Sequence, residues 1–114
     1  GFFPIMHLIG IRKSLVEQYP WLAVNLYNAF LAAKKVAVKE LYELTQLMIN
    51  LPWAVDHYQE TVRVMGEDFW PYGFNENRKT LDTFLRFHHE QGLSKRRVAA
   101  EELFAQSTFD LAKI

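Results

Sequence analysis

The sequence contains no cysteine among its 114 residues. This absence excludes disulfide scaffolds, thiolate zinc sites and cysteine nucleophiles. It suits a reducing cytoplasm, which we predict as the compartment of the protein. Cysteine-free proteins are also tolerated in the periplasm, so that compartment stays open as the alternative.

The sequence has no excess of either charge, because 13 Lys and Arg residues balance 13 Asp and Glu residues. Such a balance gives no electrostatic reason to expect a nucleic-acid partner. The one basic cluster, residues 95–97, follows Gly92, and no aromatic residues interleave with it. We predict a solvated loop there and no nucleic-acid binding. The longest apolar run, residues 2–11, is too short to span a bilayer, so we also predict no membrane association.

Most signatures of catalytic or metal sites are missing from the sequence. There is no Gly-x-Ser-x-Gly elbow, no glycine-rich phosphate loop and no His-Glu-x-x-His. Of the four histidines, His88 and His89 are adjacent, and neighbouring helical residues point about 100° apart. We therefore predict no metal site, and we interpret His88 as a half-buried residue near a helix C-terminus.

Residues 2–12 are rich in Ile and Phe and lack helical punctuation, which predicts a buried N-terminal strand. A single strand cannot satisfy its own backbone hydrogen bonds, and no second strand is evident later in the sequence. Either the sequence is incomplete or the strand pairs with a second copy of itself. His7 lies within this apolar stretch, so it is predicted to be a core histidine or a residue on the wall of a ligand cleft.

Helical periodicity begins near residue 14, where Ser14 and Glu17 fit a capping box. The fold class is predicted to be mainly α, with about four to five helices after the strand. Gly66 and Gly92 are read as helix stops, and the aromatic segment 69–73 as a cover for a core or a surface that stacks a flat ligand. The predicted elements are a strand at 2–12, a short helix from 14, helices at about 20–48, 52–65 and 75–91, a helical turn at 101–104, and a tail at 105–114, all forming one C-terminal helical segment, 1–114.

Three stretches carry a resemblance to a known family. They are Gly1-Phe2-Phe3-Pro4-Ile5-Met6-His7 with Ile11-Arg12-Lys13; Tyr19-Pro20-Trp21-Leu22-Ala23 with Leu26-Tyr27-Asn28-Ala29-Phe30 and Ala33-Lys34; and Met65 through Gly73 with Asn77-Arg78-Lys79-Thr80-Leu81, His89-Glu90-Gln91-Gly92-Leu93 and Glu101-Glu102-Leu103-Phe104. On these residues the sequence resembles the C-terminal part of 4,5-dihydroxyphthalate decarboxylases.

The resemblance implies an α/β fold of the type II periplasmic-binding-protein class, of which this chain would be a fragment that is inactive by itself. It also implies non-oxidative removal of CO2 from a dihydroxylated aromatic dicarboxylate, a reaction that demands no cofactor. From their positions on the predicted strand, His7 is the candidate catalytic residue, for proton transfer or a hydrogen bond to a phenol, and Arg12 is the candidate for binding a substrate carboxylate. The implied partner is a small aromatic carboxylate.

Two other functions remain open. The same fold serves solute-binding proteins of import systems, which bind a small aromatic or carboxylate ligand without reacting. A helical interaction module is a third possibility. We also expect the chain to self-associate through an exposed strand and apolar helix faces.

Overall fold

The computed structural model describes residues 3–42 and 50–111. The chain divides into two compact units, unit 1 with Gly1–Tyr27 and Tyr72–Ile114, and unit 2 with Asn28–Pro71. The prediction of a mainly helical chain is confirmed. The helices are α1 (Lys13–Gln18), α2 (Leu22–Tyr42), α3 (Ala54–Met65) and α4 (Arg78–Glu90), followed by the 3-10 helices η1 (Ala100–Glu102) and η2 (Gln106–Thr108).

The predicted strand at 2–12 is wrong over its described part. Residues 3–12 adopt neither helix nor strand, and no strand occurs elsewhere in the ranges 3–42 and 50–111. A β-strand is stable only when a neighbouring strand accepts and donates its backbone hydrogen bonds. The Ile-rich composition therefore favours an extended backbone, but these residues supply no second strand to pair with it.

The first two helices begin close to the predicted positions. α1 starts at Lys13, with the Arg12 carbonyl accepting from the amide of Leu15 at 2.9 Å. Ser14 is consequently the second residue of the helix, so the predicted capping box with Glu17 is wrong. α2 runs from Leu22 to Tyr42. Its predicted continuation to residue 48 lies outside the described residues.

The third helix confirms the predicted stop at Gly66. α3 ends at Met65, and Gly66 has φ 86°, a conformation that costs glycine little because it lacks a Cβ atom. The helix starts at Ala54, two residues after Pro52. The residue before it, Trp53, has φ 67°, and a bulky side chain is strained there.

The core of unit 1 forms around α4. Four buried apolar residues make its centre, and four half-buried ones pack on them: Phe74, Leu81, Leu85 and Ala100, with Ile5, Val98, Phe104 and Phe109. Leu81 and Leu85 are four residues apart on one face of α4, so both reach the same cluster. Ile5 is the residue of the N-terminal segment that contributes to this core.

The last described residues pack on the same core. The Phe109 ring stacks on Phe74 at a centroid distance of 4.2 Å and an interplanar angle of 16°. The Phe104 ring meets Phe74 edge-on at 5.5 Å. Asn75 donates a hydrogen bond to Asp110 at 3.1 Å. Residues 105–111, predicted to begin a tail, thus hold an aromatic ring on the core.

Within the described part of the chain, no helix has both the length and the apolar character that crossing a membrane requires.

Candidate functional site

His7, the predicted catalytic residue, lies in the extended segment 3–12 and is exposed. Ile5, two residues earlier, packs against the core of unit 1 and fixes the start of this stretch. The interpretation of His7 as a buried core histidine is therefore wrong, because the strand that would have buried it does not form. Its imidazole faces solvent and is open to a ligand or to another protein surface.

Arg12, the predicted carboxylate-binding residue, occupies the N-cap position of α1, and its side chain is exposed. Its backbone carbonyl accepts the hydrogen bonds that start the helix, and its guanidinium takes no part in them. Arg12 lies five positions after His7, which limits the distance between their Cα atoms to roughly 17 Å. Across residues 3–42 and 50–111, no side-chain hydrogen bond or ion pair engages either group. The structure thus leaves both residues available but does not orient them.

Arg78 is a side chain that the sequence did not single out, yet it joins α4 to η1. Its guanidinium contacts the carboxylates of Asp82 at 2.9 Å and Glu101 at 2.5 Å, and lies 5.5 Å from the centre of the Phe74 ring. The hydrogen bond to Asp82, supported by Glu101, raises the pKa of Arg78. The carboxylates that bind its guanidinium both lie in unit 1, so Arg78 stabilises the fold around the core.

The basic cluster at 95–97 contains a second ion pair. The Arg96 guanidinium donates to both carboxylate oxygens of Glu102, at 2.9 and 2.6 Å. The same carboxylate accepts from the backbone N–H of Ala99 at 2.8 Å. These bonds, first the one from Arg96 and then the one from Ala99, lower the pKa of Glu102 to about 2. The cluster is exposed, as predicted, but its central arginine closes a loop within unit 1.

The histidines of α4 have structural partners. His88 is half-buried and its ring lies 5.7 Å from that of Phe84, which confirms its predicted position near the end of the helix. His89 Nδ1 lies 3.2 Å from the carbonyl oxygen of Ser94. Among the described residues, no group of three His, Cys, Asp or Glu side chains is arranged to hold a metal ion.

The residues of the aromatic segment 69–73 differ in burial and in packing. Phe69 is half-buried and meets Tyr58 of α3 edge-on at 6.1 Å, whereas Trp70 is 54% exposed. The ring that fills the core belongs to Phe74, just outside the predicted segment. The prediction that 69–73 covers a core is therefore confirmed only in part, by the half-buried Phe69. The indole of Trp70 remains an exposed flat surface.

The chemistry available from these groups separates into two kinds. The guanidinium groups of Arg78 and Arg96 are paired with neighbouring carboxylates, and these ion pairs hold loops together. His7 can donate or accept a proton, and Arg12 can hold a carboxylate in a fork of two hydrogen bonds. A reaction site built from them would need an opposing surface that lowers the local dielectric and fixes the ligand.

Comparison with known proteins relates the chain to a curated protein. No family model matches the chain. The chain is 44% identical over 112 residues to the 4,5-dihydroxyphthalate decarboxylase of Comamonas testosteroni, a match that covers 98% of this chain and 34% of that protein. The resemblance inferred from the sequence motifs is thereby confirmed. The chain spans about a third of the length of the curated relative it matches.

Proposed function

We propose that these 114 residues act as part of a 4,5-dihydroxyphthalate decarboxylase. The observation that carries this proposal is the 44% identity over nearly the whole chain to a protein of that name. The reaction is the non-oxidative loss of CO2 from a dihydroxylated aromatic dicarboxylate, and no cofactor is part of the proposal. The type II periplasmic-binding-protein fold, with two α/β lobes around a cleft, and a cytoplasmic location belong to the same proposal.

The proposed chemistry follows from the structure of the substrate. Each carboxylate of 4,5-dihydroxyphthalate is para to a ring hydroxyl, so electrons from that phenol can help to protonate the carbon that bears the leaving carboxylate. Breaking the bond to the carboxylate then restores the aromatic ring, releases CO2 and leaves a dihydroxybenzoate. The site needs an acid, a base near the phenol and a cation for the carboxylate that remains.

His7 and Arg12 are the residues of this chain that we assign to those needs. The exposed imidazole of His7 is proposed to transfer a proton or to hydrogen-bond a phenol. The exposed guanidinium of Arg12 is proposed to bind the retained carboxylate. Because neither is oriented by a partner within the described residues, we propose that the rest of the decarboxylase positions them and that this chain alone is inactive.

A chimera tests the proposal. The part of the Comamonas testosteroni decarboxylase that matches this chain is replaced by these 114 residues, and formation of CO2 and dihydroxybenzoate is followed. Activity within roughly an order of magnitude of the parent is expected, because the replaced part is closely similar. A chimera that folds as the parent does but releases no CO2 would contradict the proposal.

The same chimera separates the two assigned residues. His7→Gln is expected to lower kcat by about 10²–10⁴-fold if the imidazole transfers the proton. Arg12→Gln is expected to raise KM more than it lowers kcat, because binding of the retained carboxylate persists throughout the reaction. His57→Gln serves as the control, since His57 lies in unit 2 on the surface of α3. Unchanged turnover and affinity in His7→Gln would remove His7 from the site.

The solute-binding alternative predicts a different result with the same chimera and ligand. It would bind 4,5-dihydroxyphthalate, as measured by calorimetry, without forming product.

For the chain alone we propose self-association through its exposed apolar residues, among them Met6, Leu8 and Ile9. Sedimentation velocity over a concentration series measures it, and a clean monomer throughout, as expected for an independent helical interaction module, would contradict it.

A further inference from the structure

Lys34 on α2 holds a loop that lies 34 residues further along the chain. Its ammonium group donates to a carboxylate oxygen of Asp68 at 2.5 Å and to the backbone carbonyl of Trp70 at 2.6 Å. Both contacts lie within unit 2. One cation thus binds a side chain and a backbone carbonyl two residues apart and spans the turn between them.

The burial of this lysine distinguishes it from the surface pairs of the chain. The Lys34 side chain is 16% exposed, whereas Lys13, which pairs with Glu17 on α1, is 90% exposed. Exposed pairs contribute little because water and salt screen the charges. A cation removed from most of its water and shared between two acceptors makes a stronger contribution, and its removal leaves both acceptors without that donor.

The segment that Lys34 contacts has little regular structure of its own. It follows Gly66, which ends α3 with φ 86°, and residues 67–72 form no helix or strand. The Phe69 ring packs on Tyr58, while the neighbouring indole of Trp70 stays exposed. The Trp70 ring also meets the Phe69 ring at 5.9 Å, so its direction depends on this contact and on how the backbone from Asp68 to Trp70 is held.

We propose that Lys34 is a latch that holds the Asp68–Trp70 turn against α2 and fixes the orientation of the exposed Trp70 indole. When the ammonium group is removed, the turn opens while the helices of unit 2 remain folded. This inference is independent of the decarboxylase assignment, because it rests on contacts within unit 2. It also connects two of the sequence stretches that carry the family resemblance, Ala33-Lys34 and Met65–Gly73.

The test compares Lys34→Met with Lys35→Met in the 114-residue chain. Methionine keeps the length and much of the apolar stem but donates no hydrogen bond. Lys35 is the matched control, because it is the adjacent lysine on the same helix and is exposed. Backbone hydrogen exchange of residues 68–72 is measured by mass spectrometry. Acrylamide quenching of Trp70 is measured in a background that carries Trp21→Phe and Trp53→Phe, so that Trp70 is the sole tryptophan.

The expected result is local to the turn. Lys34→Met should speed exchange across residues 68–72 by roughly tenfold and increase quenching of Trp70, with the exchange of α3 unchanged. Lys35→Met should match the unsubstituted chain, and Lys34→Arg should restore part of the protection because a guanidinium can reach both acceptors. If Lys34→Met and Lys35→Met give the same exchange and quenching, the latch is overturned.

A second variant decides the matter if Lys34→Met does not fold. Asp68→Asn removes the ion pair but leaves the bond from Lys34 to the Trp70 carbonyl. It should raise exchange and quenching in the same direction by a smaller factor. Unchanged exchange and quenching in a folded Asp68→Asn would overturn the proposal.

Discussion

Two apolar regions of the chain, residues 3–12 and residues 72–111, have opposite environments. In the second region, α4 and the segments that flank it bury Phe74, Leu81, Leu85 and Ala100 in one cluster. In the first, only Ile5 reaches that cluster, and Met6, Leu8 and Ile9 are each more than 60% exposed. Both regions are rich in large apolar side chains, so composition does not explain the difference. They differ in whether a neighbouring surface covers those side chains.

The difference shows that apolar composition gives a tendency to be buried, which only a neighbouring surface can fulfil. Residues 72–111 supply their own surface, because helix, turn and C-terminal aromatics meet within about forty residues. Residues 3–12 have a strand-like composition but no partner strand among the described residues. In the proposed decarboxylase, the remainder of the protein would provide that surface.

The largest expected effect compares the same substitution in the two regions. Leu85 is 8% exposed and Leu8 is 62% exposed. Leu85→Ala should lower the free energy of unfolding by about 2–5 kcal/mol, because it leaves a cavity in the core. Leu8→Ala should change it by less than about 0.5 kcal/mol. Urea denaturation followed by circular dichroism measures both, and equal losses would show that the two regions are buried alike.

A smaller effect is expected from the same comparison made at two glycines. Gly73 has φ 125°, which L side chains rarely adopt, and a Cβ atom there would also push aside the flexible Glu76 carboxylate; at Gly10 a Cβ would meet nothing within 4 Å. Gly73→Ala should therefore destabilise the chain by about 1–3 kcal/mol. Gly10→Ala should leave stability unchanged or raise it by up to about 1 kcal/mol, because alanine restricts the unfolded chain. A neutral Gly73→Ala would contradict the turn geometry at the start of the second region.

The smallest effect concerns the loop closed by Arg96 and Glu102. The pKa of Glu102 in the folded chain is lowered to about 2 from 4.5. A lowered pKa means that the pair stabilises the fold above about pH 4.5, and that this contribution is lost as the pH falls through about 2. Nuclear magnetic resonance titration of the Glu102 carboxyl should show this pKa directly.

The matching variants test the cause of that shift. Arg96→Gln should move the Glu102 pKa upward, while Glu17→Gln, which removes a carboxylate from an exposed pair on α1, should leave it unchanged. Glu102→Gln should flatten the dependence of stability on pH between about 4.5 and 2 relative to the unsubstituted chain. A Glu102 pKa near 4.5 in the unsubstituted chain would contradict the observed pairing.

The helices could be predicted from the sequence because their signals are local. Leu81 and Leu85 recur at a helical interval, and Gly66 and Gly92 stop α3 and α4 with positive φ angles. The capping box at Ser14 failed for a local reason too. The helix begins at Lys13, and a serine inside the first turn cannot occupy the N-cap position.

The features that escaped prediction depend on contacts between distant residues. Nothing in the helical pattern around Lys34 indicates that its ammonium group binds Asp68 and the Trp70 carbonyl. Phe109 was placed in a tail, yet it stacks on Phe74. No periodicity within a helix or loop reports which residue from elsewhere will meet it.

The candidate site was predictable only as residue types. An imidazole in an apolar stretch suggested His7, and its position on the predicted strand suggested proton transfer or a hydrogen bond to a phenol. The exposure of His7 follows from the absence of a pairing strand among the described residues. Among the described residues, no side-chain hydrogen bond or ion pair orients His7 or Arg12, so their geometry could not be predicted.

Hydrogen exchange of residues 5–11, measured in the isolated chain and in the decarboxylase chimera, tests the central claim most directly. In the isolated chain these amides should exchange as fast as in an unfolded peptide, while those of Leu81 and Leu85 in α4 stay protected. In the chimera the same amides should become protected, with α4 little changed. Equal protection of residues 5–11 in both proteins, or none in an active chimera, would contradict the claim that the rest of the decarboxylase covers this segment.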